Sequence, residues 1–270
     1  MIKVNVVERD IKNTDYLFRG KNCGINRPYF NTNEDLNEIF SNFDIKGKNV
    51  LTVIGSGDQA FHFYNNDAKH VDLFDKNKIA IYYFYLRMWF IEYCDSYYPN
   101  YEMNNSIIKE LLKLVEPKNM SEKIAYDYWS SYVNTFGEKD TEWLFGNNNW
   151  IGPNKLDKLD KLKKCIADRN FDISCVDISK ESINGKKYDI IFKSNITDYV
   201  RIENFDFYLD NLDKHLSDNG IIISTNVLHS YPDYYEVKMF LSRFKMQEMP
   251  KIYDKRKEKV LSPGYIYTRK

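Results

Sequence analysis

The chain of 270 residues is poor in the features that usually reveal a chemistry at once. It has four cysteines, Cys23, Cys94, Cys165 and Cys175, far apart, with no C-x-x-C pair and no Cys/His cluster. That spacing gives no support to a zinc site or a disulfide framework, so no metal is expected and a reducing, cytoplasmic setting is the simplest reading. The opening MIKVNVVERD holds no apolar core of the kind a signal peptide needs. Charge of one sign is not in excess either. Lys+Arg and Asp+Glu stand at 39 each, so no global field draws the chain to nucleic acid, and no nucleic-acid partner is expected. A long hydrophobic run is missing too. The densest stretch, IAIYYFYLRMWFIEYC, is short for a membrane span and carries Arg87 and Glu92. It reads as a buried helix, with no transmembrane segment, although contact with a membrane surface stays open. The histidines, His62, His70, His215 and His229, suggest no triad, and no Ser or Cys has a G-x-S-x-G setting. G-x-x-x-x-G-K-[ST] is absent, which argues against a nucleoside-triphosphate site. There is no internal repeat, and nothing bears on oligomeric state.

A composition of 43% hydrophobic and 16% aromatic residues is enough for a sizeable core. Residues 1–45 read as a polar lead-in. Within it NTNEDLNEIFSNF is a short helix with a polar start at Asn31 to Asn33, and Arg19 and Tyr29 form a candidate lid. From residue 46 the pattern alternates. KNVLTVIG is a strand, DQAFHFYNND a helix, HVDLFDKN a strand and KIAIYYFYLRMWFIEY a deeply buried helix. Residues 95–165 break this rhythm and read as a mostly helical insertion, closing with an amphipathic helix on Leu156, Leu159, Leu162 and Ile166. Strands FDISCVDI and YDIIFKSNI follow, then helix IENFDFYLDNLDKHL, a turn at SDNG, strand IIISTNVL and helix DYYEVKMFLSRF. KMQEMPKIYD and PGYIYTRK suggest a terminal hairpin. Strand–helix alternation implies parallel strands and right-handed crossovers. The expected fold is α/β and Rossmann-like: a mostly parallel seven-stranded sheet, an antiparallel C-terminal hairpin and a helical insertion. The hairpin ending is the habit of class I S-adenosylmethionine-dependent transferases, whereas a dinucleotide domain continues with a second βαβαβ half.

The loop VLTVIGSGDQAF carries the candidate chemistry. Gly55-x-Gly57-x-x-Ala60 fits G-x-G-x-x-G/A at a strand end, and Asp75 closes the next strand, where a carboxylate takes the ribose hydroxyls of an adenine cofactor. Asp58 at the helix start would repel a diphosphate. S-adenosylmethionine has no phosphate and carries an ammonium, a carboxylate and a sulfonium. An acid at the loop can pair with its cations while loop N–H groups take its carboxylate, so this cofactor is favoured over NAD. The other reading of Asp58 is a capping acid on the helix. Asp177, after the third strand, is a candidate for the adenine amino group or a solvated loop acid.

At this point the sequence resembles a known family. VLTVIGSGDQAF followed by VDLFDKNKIAIYYFYLRM is similar to the cofactor-binding segment of the DUF3419 family, which includes diacylglycerol 3-amino-3-carboxypropyltransferases. The shared features are Gly55-Ser56-Gly57 running into Asp58-Gln59-Ala60, then Asp75-Lys76-Asn77 and Ser194-Asn195-Ile196. The resemblance implies a class I methyltransferase-like fold binding S-adenosylmethionine through these residues.

Methyl transfer and aminocarboxypropyl transfer are both displacements at a carbon on sulfonium, which need an acceptor held in line more than they need a base. FKSNITDYV ends a central strand, where open α/β sheets bind ligands. There Asn195, Asp198 and Tyr199 are candidate catalytic or orienting residues; the plainer reading has Asn195 capping the loop and Tyr199 packed in the core. The expected activity is methyl transfer to a small-molecule or lipid-linked acceptor. The alternatives are aminocarboxypropyl transfer and a non-catalytic cofactor-binding module.

Overall fold

The computed structural model describes residues 17–18, 21–22, 34–93, 105–136, 159–169, 171–183, 185–225, 235–250, 252–254, 259–261 and 264–270. The chain divides into two compact units, one of Met1–Asn33, Ile54–Asp58 and Asn77–Arg169, the other of Glu34–Val53, Gln59–Lys76 and Asn170–Lys270. In chain order the elements are β1 (Leu17–Phe18), β2 (Lys21–Asn22), α1 (Leu36–Phe40), β3 (Asn49–Val53), α2 (Asp58–Asn65), β4 (His70–Asp75) and α3 (Lys78–Tyr93). Then come α4 (Asn105–Leu114), α5 (Met120–Phe136), α6 (Leu159–Ala167), β5 (Ile173–Cys175), β6 (Tyr188–Phe192) and α7 (Phe205–His215). The chain closes with β7 (Leu216–Thr225), α8 (Tyr235–Arg243), β8 (Phe244–Glu248), β9 (Ile252–Asp254), β10 (Lys259–Leu261) and β11 (Gly264–Arg269).

The second unit holds a seven-stranded sheet in the order β5-β4-β3-β6-β7-β11-β8. Strands β3 to β7 pair in parallel, and β11 is inserted antiparallel to both β7 and β8. This is the Rossmann-like, class I methyltransferase arrangement expected from the alternating pattern and the terminal hairpin. The central strands read as apolar runs because both faces are covered: Val50, Leu51, Ile191 and Phe192 have no exposed surface. Gly264 opens β11 at φ +156°, opposite Thr225, where an added Cβ would lie 1.9 Å from the Ser224 carbonyl oxygen. No side chain fits that crossing.

Two local expectations are corrected. SDNG is not a free turn. α7 passes directly into β7, and the ladder absorbs the extra residues: Tyr188 pairs with Leu216 but Ile190 with Ile221, so two steps on β6 match five on β7. Gly220 sits in this bulge because a Cβ there would come within 2.8 Å of the Tyr188 carbonyl oxygen. The first helix is capped at Asp35, whose Oδ1 accepts from the Glu38 N–H at 3.1 Å. Asn31 to Asn33, Arg19 and Tyr29 lie outside the described residues, as do Leu156, Cys23 and Cys94.

In the first unit α3 is buried on most faces, with Trp89, Phe84 and Leu86 fully enclosed. The Trp129 indole on α5 donates to the Tyr82 carbonyl of α3 at 2.8 Å. On α6, Leu162 and Ile166 are fully buried, as the amphipathic spacing predicts. No described helix is long and apolar enough to cross a membrane.

His62 on α2 has a structural role. Its ring packs against Phe40 and Phe63, with centroids 5.2 and 6.0 Å away, and Nε2 lies 3.3 Å from the Asn66 amide nitrogen. Burial lowers its pKa from 6.5 to about 4, against the opposing pull of the Asp35 charge. The folded value is below the unfolded one, so the unfolded chain binds the extra proton between them. Stability is therefore full above pH 6.5 and falls as pH drops toward 4. At its full extent this linkage is roughly 3 kcal/mol. A His62→Phe variant should lose less stability than the parent between pH 7 and pH 4.5 in urea titrations; parallel losses would remove His62 from the acid response.

Candidate functional site

The loop after β3 is built from two left-handed glycines, Gly55 at φ +52° and Gly57 at φ +88°, with the Gly57 N–H closing onto the Ile54 carbonyl at 2.6 Å. Side chains rarely adopt these angles, which is why the sequence places glycine there. Ser56 and Asp58 turn inward and are buried. The Ser56 hydroxyl donates to Asp58 Oδ2 at 2.8 Å and receives the Asp58 N–H at 3.4 Å. The other Asp58 oxygen accepts from Arg87 Nη2 at 2.8 Å, and Arg87 Nη1 donates to the Ser56 carbonyl at 2.7 Å. One buried guanidinium on α3 thus grips the loop by backbone and carboxylate together. Asp58, offered by the sequence to a cationic cofactor or to the helix as a cap, is engaged by Arg87 and Ser56. Its charge is balanced by Arg87, so the repulsion of a diphosphate inferred for it is much reduced. Arg87 entered the sequence reading only as a charge that spoils a membrane span.

In the second unit the carboxyl ends of β3, β4, β5, β6 and β7 line one edge of the sheet. Strand order reverses between β3 and β6, a topological switch point of the kind where open α/β sheets bind ligands. Asp75 is half-buried at the end of β4, paired with Cys175, and its carbonyl accepts from Val176 at 3.1 Å. Lys76 beyond it is exposed. Asn77, at the start of α3 in the first unit, uses its Oδ1 to accept from the Ile79 N–H at 3.0 Å and so caps that helix. Asp177 organises its own turn: Oδ1 accepts from the Ser179 N–H at 3.1 Å and its hydroxyl at 2.6 Å, and Lys180 Nζ lies 3.9 Å from Oδ2.

The edge beyond β6 is the most organised part. Ser194 stands at φ +52°, an unfavourable angle for a residue with a Cβ, in a turn closed by the Ile196 N–H on the Lys193 carbonyl at 3.1 Å. Two hydroxyl bonds of its own, and a third to its partner Glu34, hold it there. Its own Oγ donates to Glu34 Oε1 at 2.6 Å, Thr225 Oγ1 donates to the same oxygen, and Ser224 Oγ donates to the Ser194 carbonyl at 3.2 Å. Gln59, from α2, places its Nε2 3.5 Å from Glu34 Oε2. Lys193 is 1% exposed; its ammonium donates to Ser224 Oγ at 2.5 Å and to Thr197 Oγ1, and lies 5.2 Å from the centroid of the Phe240 ring. Asn195 leads the 3-10 turn Ile196–Tyr199, with no side-chain cap bond and its Oδ1 3.4 Å from Ser194 Oγ. Asp198 and Tyr199 lie in that turn, and their side chains lie outside the described structure. Sequence reasoning nominated Ser194, Asn195 and Gln59 but missed Glu34, Thr225 and Lys193.

The opposite edge of the same sheet carries the one His/Asp group among the described residues that could hold a metal. The ligand atoms of His70, Asp72 and Asp172 lie within 4.8 Å of one another. An ammonium already sits among them: Lys186 Nζ is 2.5 Å from Asp172, 3.2 Å from Asp72 and 3.2 Å from His70 Nε2. The Tyr188 hydroxyl donates to Asp72 at 2.7 Å, and burial, with Asp72 behind it, pushes the phenol far above its ordinary pKa. Burial disfavours the Lys186 charge, but its bonds to Asp172 and Asp72 prevail and raise its pKa. The group reads as a tie between strand starts.

The sequence matches no family model and no curated protein. Solved structures with a similar fold include a TehB-like SAM-dependent methyltransferase from Corynebacterium glutamicum, 11% identical, TM-score 0.40, with 83% of this chain and 82% of that one covered. They also include a ribosomal protein L11 methylase from Lactobacillus delbrueckii subsp. bulgaricus, 13% identical, TM-score 0.37, covering 86% and 75%. A third is the DhpI–SAH complex, 10% identical, TM-score 0.38, covering 83% and 76%. The fold assignment rests on the strand order, not on these distant likenesses.

Proposed function

We propose that this protein is an S-adenosylmethionine-dependent transferase that methylates a small-molecule or lipid-linked acceptor. The observation that carries the reading is the strand order. A dinucleotide-binding sheet runs 3-2-1-4-5-6, all parallel. Here β11 instead enters antiparallel between β7 and β8, the arrangement of class I transferases. The residues present fit the cofactor. The left-handed glycine loop leads into the first turn of α2, where backbone N–H groups favour a carboxylate. Asp75 ends the neighbouring strand, where ribose hydroxyls are taken. Of the other residues nominated from sequence, Ser56, Asp58 and Asn77 support the backbone around the loop and α3. Gln59, Ser194 and Asn195 belong to the switch-point edge. When bound, the cofactor supplies an electrophilic methyl group on a cationic sulfur.

Asp75→Ala should weaken S-adenosylhomocysteine binding about 10- to 100-fold, the loss of a carboxylate that accepts from ribose hydroxyls. Unchanged affinity in calorimetry would remove Asp75 from the site. Transfer of the methyl group leaves S-adenosylhomocysteine, whereas transfer of the aminocarboxypropyl group leaves methylthioadenosine. Mass spectrometry of a turnover mixture therefore separates the two transfers, and the proposal requires the first product.

A further inference from the structure

A glycine loop that carries an acid could draw either charged end of the cofactor's amino acid, and Arg87 decides between them. We infer that Arg87 is a specificity-determining residue: by cancelling the charge of Asp58 it makes the loop a site for the cofactor's carboxylate and not for its ammonium. This rests on the transferase reading and adds the device that tunes the loop to its ligand.

All the parts lie within the first unit. The loop Ile54–Asp58 has one ionisable side chain, Asp58. Ser56 and Asp58 are turned inward and buried, so what the loop offers a ligand is its backbone. Glycines at φ +52° and +88° shape that backbone, and peptide N–H groups in such a turn attract an anion. An unbalanced Asp58 would oppose them: a like charge about 7 Å away costs an anion roughly 50-fold in affinity at an effective dielectric of about 20. Arg87 removes the conflict. Its Nη2 donates to Asp58 Oδ1 at 2.8 Å and its Nη1 to the Ser56 carbonyl at 2.7 Å. The second bond ties the guanidinium to the loop backbone as well as to the carboxylate, so the counter-charge has a fixed place. At 1% exposed, Arg87 acts on a ligand through the loop and not by contact, which makes it a positioning residue.

Charge and packing make different forecasts for substitutions in the pair. The pair is neutral in the parent, negative in Arg87→Met, positive in Asp58→Asn and neutral again when both are changed. If charge governs the loop, affinity for an anionic group follows that sign, and the double variant recovers what the first change loses. If Arg87 only holds the backbone, the double variant stays as weak as Arg87→Met. Two ligands separate these effects. S-adenosylhomocysteine carries both a carboxylate and an ammonium, so the direction of its response tells which of the two faces the pair. Methylthioadenosine keeps the nucleoside and the sulfur but lacks the amino-acid end, so it reports damage to the rest of the site.

Calorimetry of the full chain with these two ligands is the test. The parent should bind both, S-adenosylhomocysteine the more tightly. Arg87→Met should weaken S-adenosylhomocysteine about 10- to 100-fold relative to methylthioadenosine. Adding Asp58→Asn should return the ratio of the two affinities to within about threefold of the parent, and Asp58→Asn alone should hold it at or above the parental value. Arg87→Lys, which keeps the charge but gives up the planar fork, should keep the ratio while lowering stability. A ratio taken within one protein cancels any loss of folded material. Equal weakening of both ligands by Arg87→Met, or weakening of neither, would overturn the inference. So would tighter S-adenosylhomocysteine binding, which would put the ammonium at the loop, and so would a double variant no better than Arg87→Met. A parent that binds neither ligand overturns the transferase reading itself.

Discussion

Replacing Arg87 with methionine should cost about 3–5 kcal/mol of stability, enough to lower the melting temperature by on the order of 10 °C. The side chains of Arg87 and Asp58 are 2% and 7% exposed, and the variant leaves the carboxylate enclosed without its counter-charge. It also strips the Ser56 carbonyl of its 2.7 Å donor. The cost arises from an uncompensated buried charge, so a second substitution should recover it. Asp58→Leu on the Arg87→Met background should return most of the loss, because a well-packed apolar pair often equals a buried ion pair. The two single changes together should therefore cost far less than their sum, and thermal denaturation of the four proteins measures this. Additive losses would mean that Arg87 acts by packing, through its stem and its 5.9 Å approach to the Tyr83 ring, and not through the loop.

Arg169→Met should have an effect of similar size, about 3–5 kcal/mol at neutral pH, with a distinctive pH dependence. Arg169 follows α6 and ties three helices of the first unit. Its Nε donates to Glu122 Oε1 at 2.8 Å and its Nη2 to Glu92 Oε2 at 2.8 Å. Glu122 on α5 has no exposed surface and also receives the Trp89 indole at 3.4 Å and the Lys118 N–H at 3.2 Å. Burial pushes the Glu122 pKa up, but the Arg169 bond and charge outweigh it and hold the group below 4.5. With its folded pKa depressed, Glu122 contributes stability that is present above pH 4.5 and is lost as pH falls through the folded value. In the variant only burial and the weaker donors remain, the folded pKa moves above the unfolded one, and stability is lost as pH rises. The gap between parent and variant should be widest at pH 7 and narrow toward pH 4.5 in urea titrations. A gap independent of pH would contradict this account. Arg169→Lys should recover only part, because an ammonium cannot present the planar fork that reaches both carboxylates.

Much of the fold is legible in local pattern. Parallel strands buried on both faces appear as short apolar runs, and Gly55 and Gly57 mark a loop whose backbone turns left-handed. The amphipathic spacing of α6 is equally plain. What pattern could not show is pairing across distance. The place of β11, between β7 and β8, depends on ladder partners that no window of sequence contains. Ser217 to Gly220 reads as a turn by composition, and only the neighbouring strand makes it a bulge. The same limit governs the site. Asp58 is visible as an acid in a glycine loop, but its partner Arg87 is 29 positions away in a helix that otherwise reads as core. Glu34 is 160 positions from Ser194 and belongs to no motif, so only the folded sheet brings it to the switch point.

The central claim is that this sheet binds S-adenosylmethionine and not a dinucleotide. The most direct test is a calorimetric titration of the full chain with S-adenosylhomocysteine and, in parallel, with NAD. Saturable one-site binding of S-adenosylhomocysteine below millimolar concentration, with no heat from NAD, is the predicted result. No binding of S-adenosylhomocysteine at millimolar concentration, or saturable binding of NAD in its place, would contradict it.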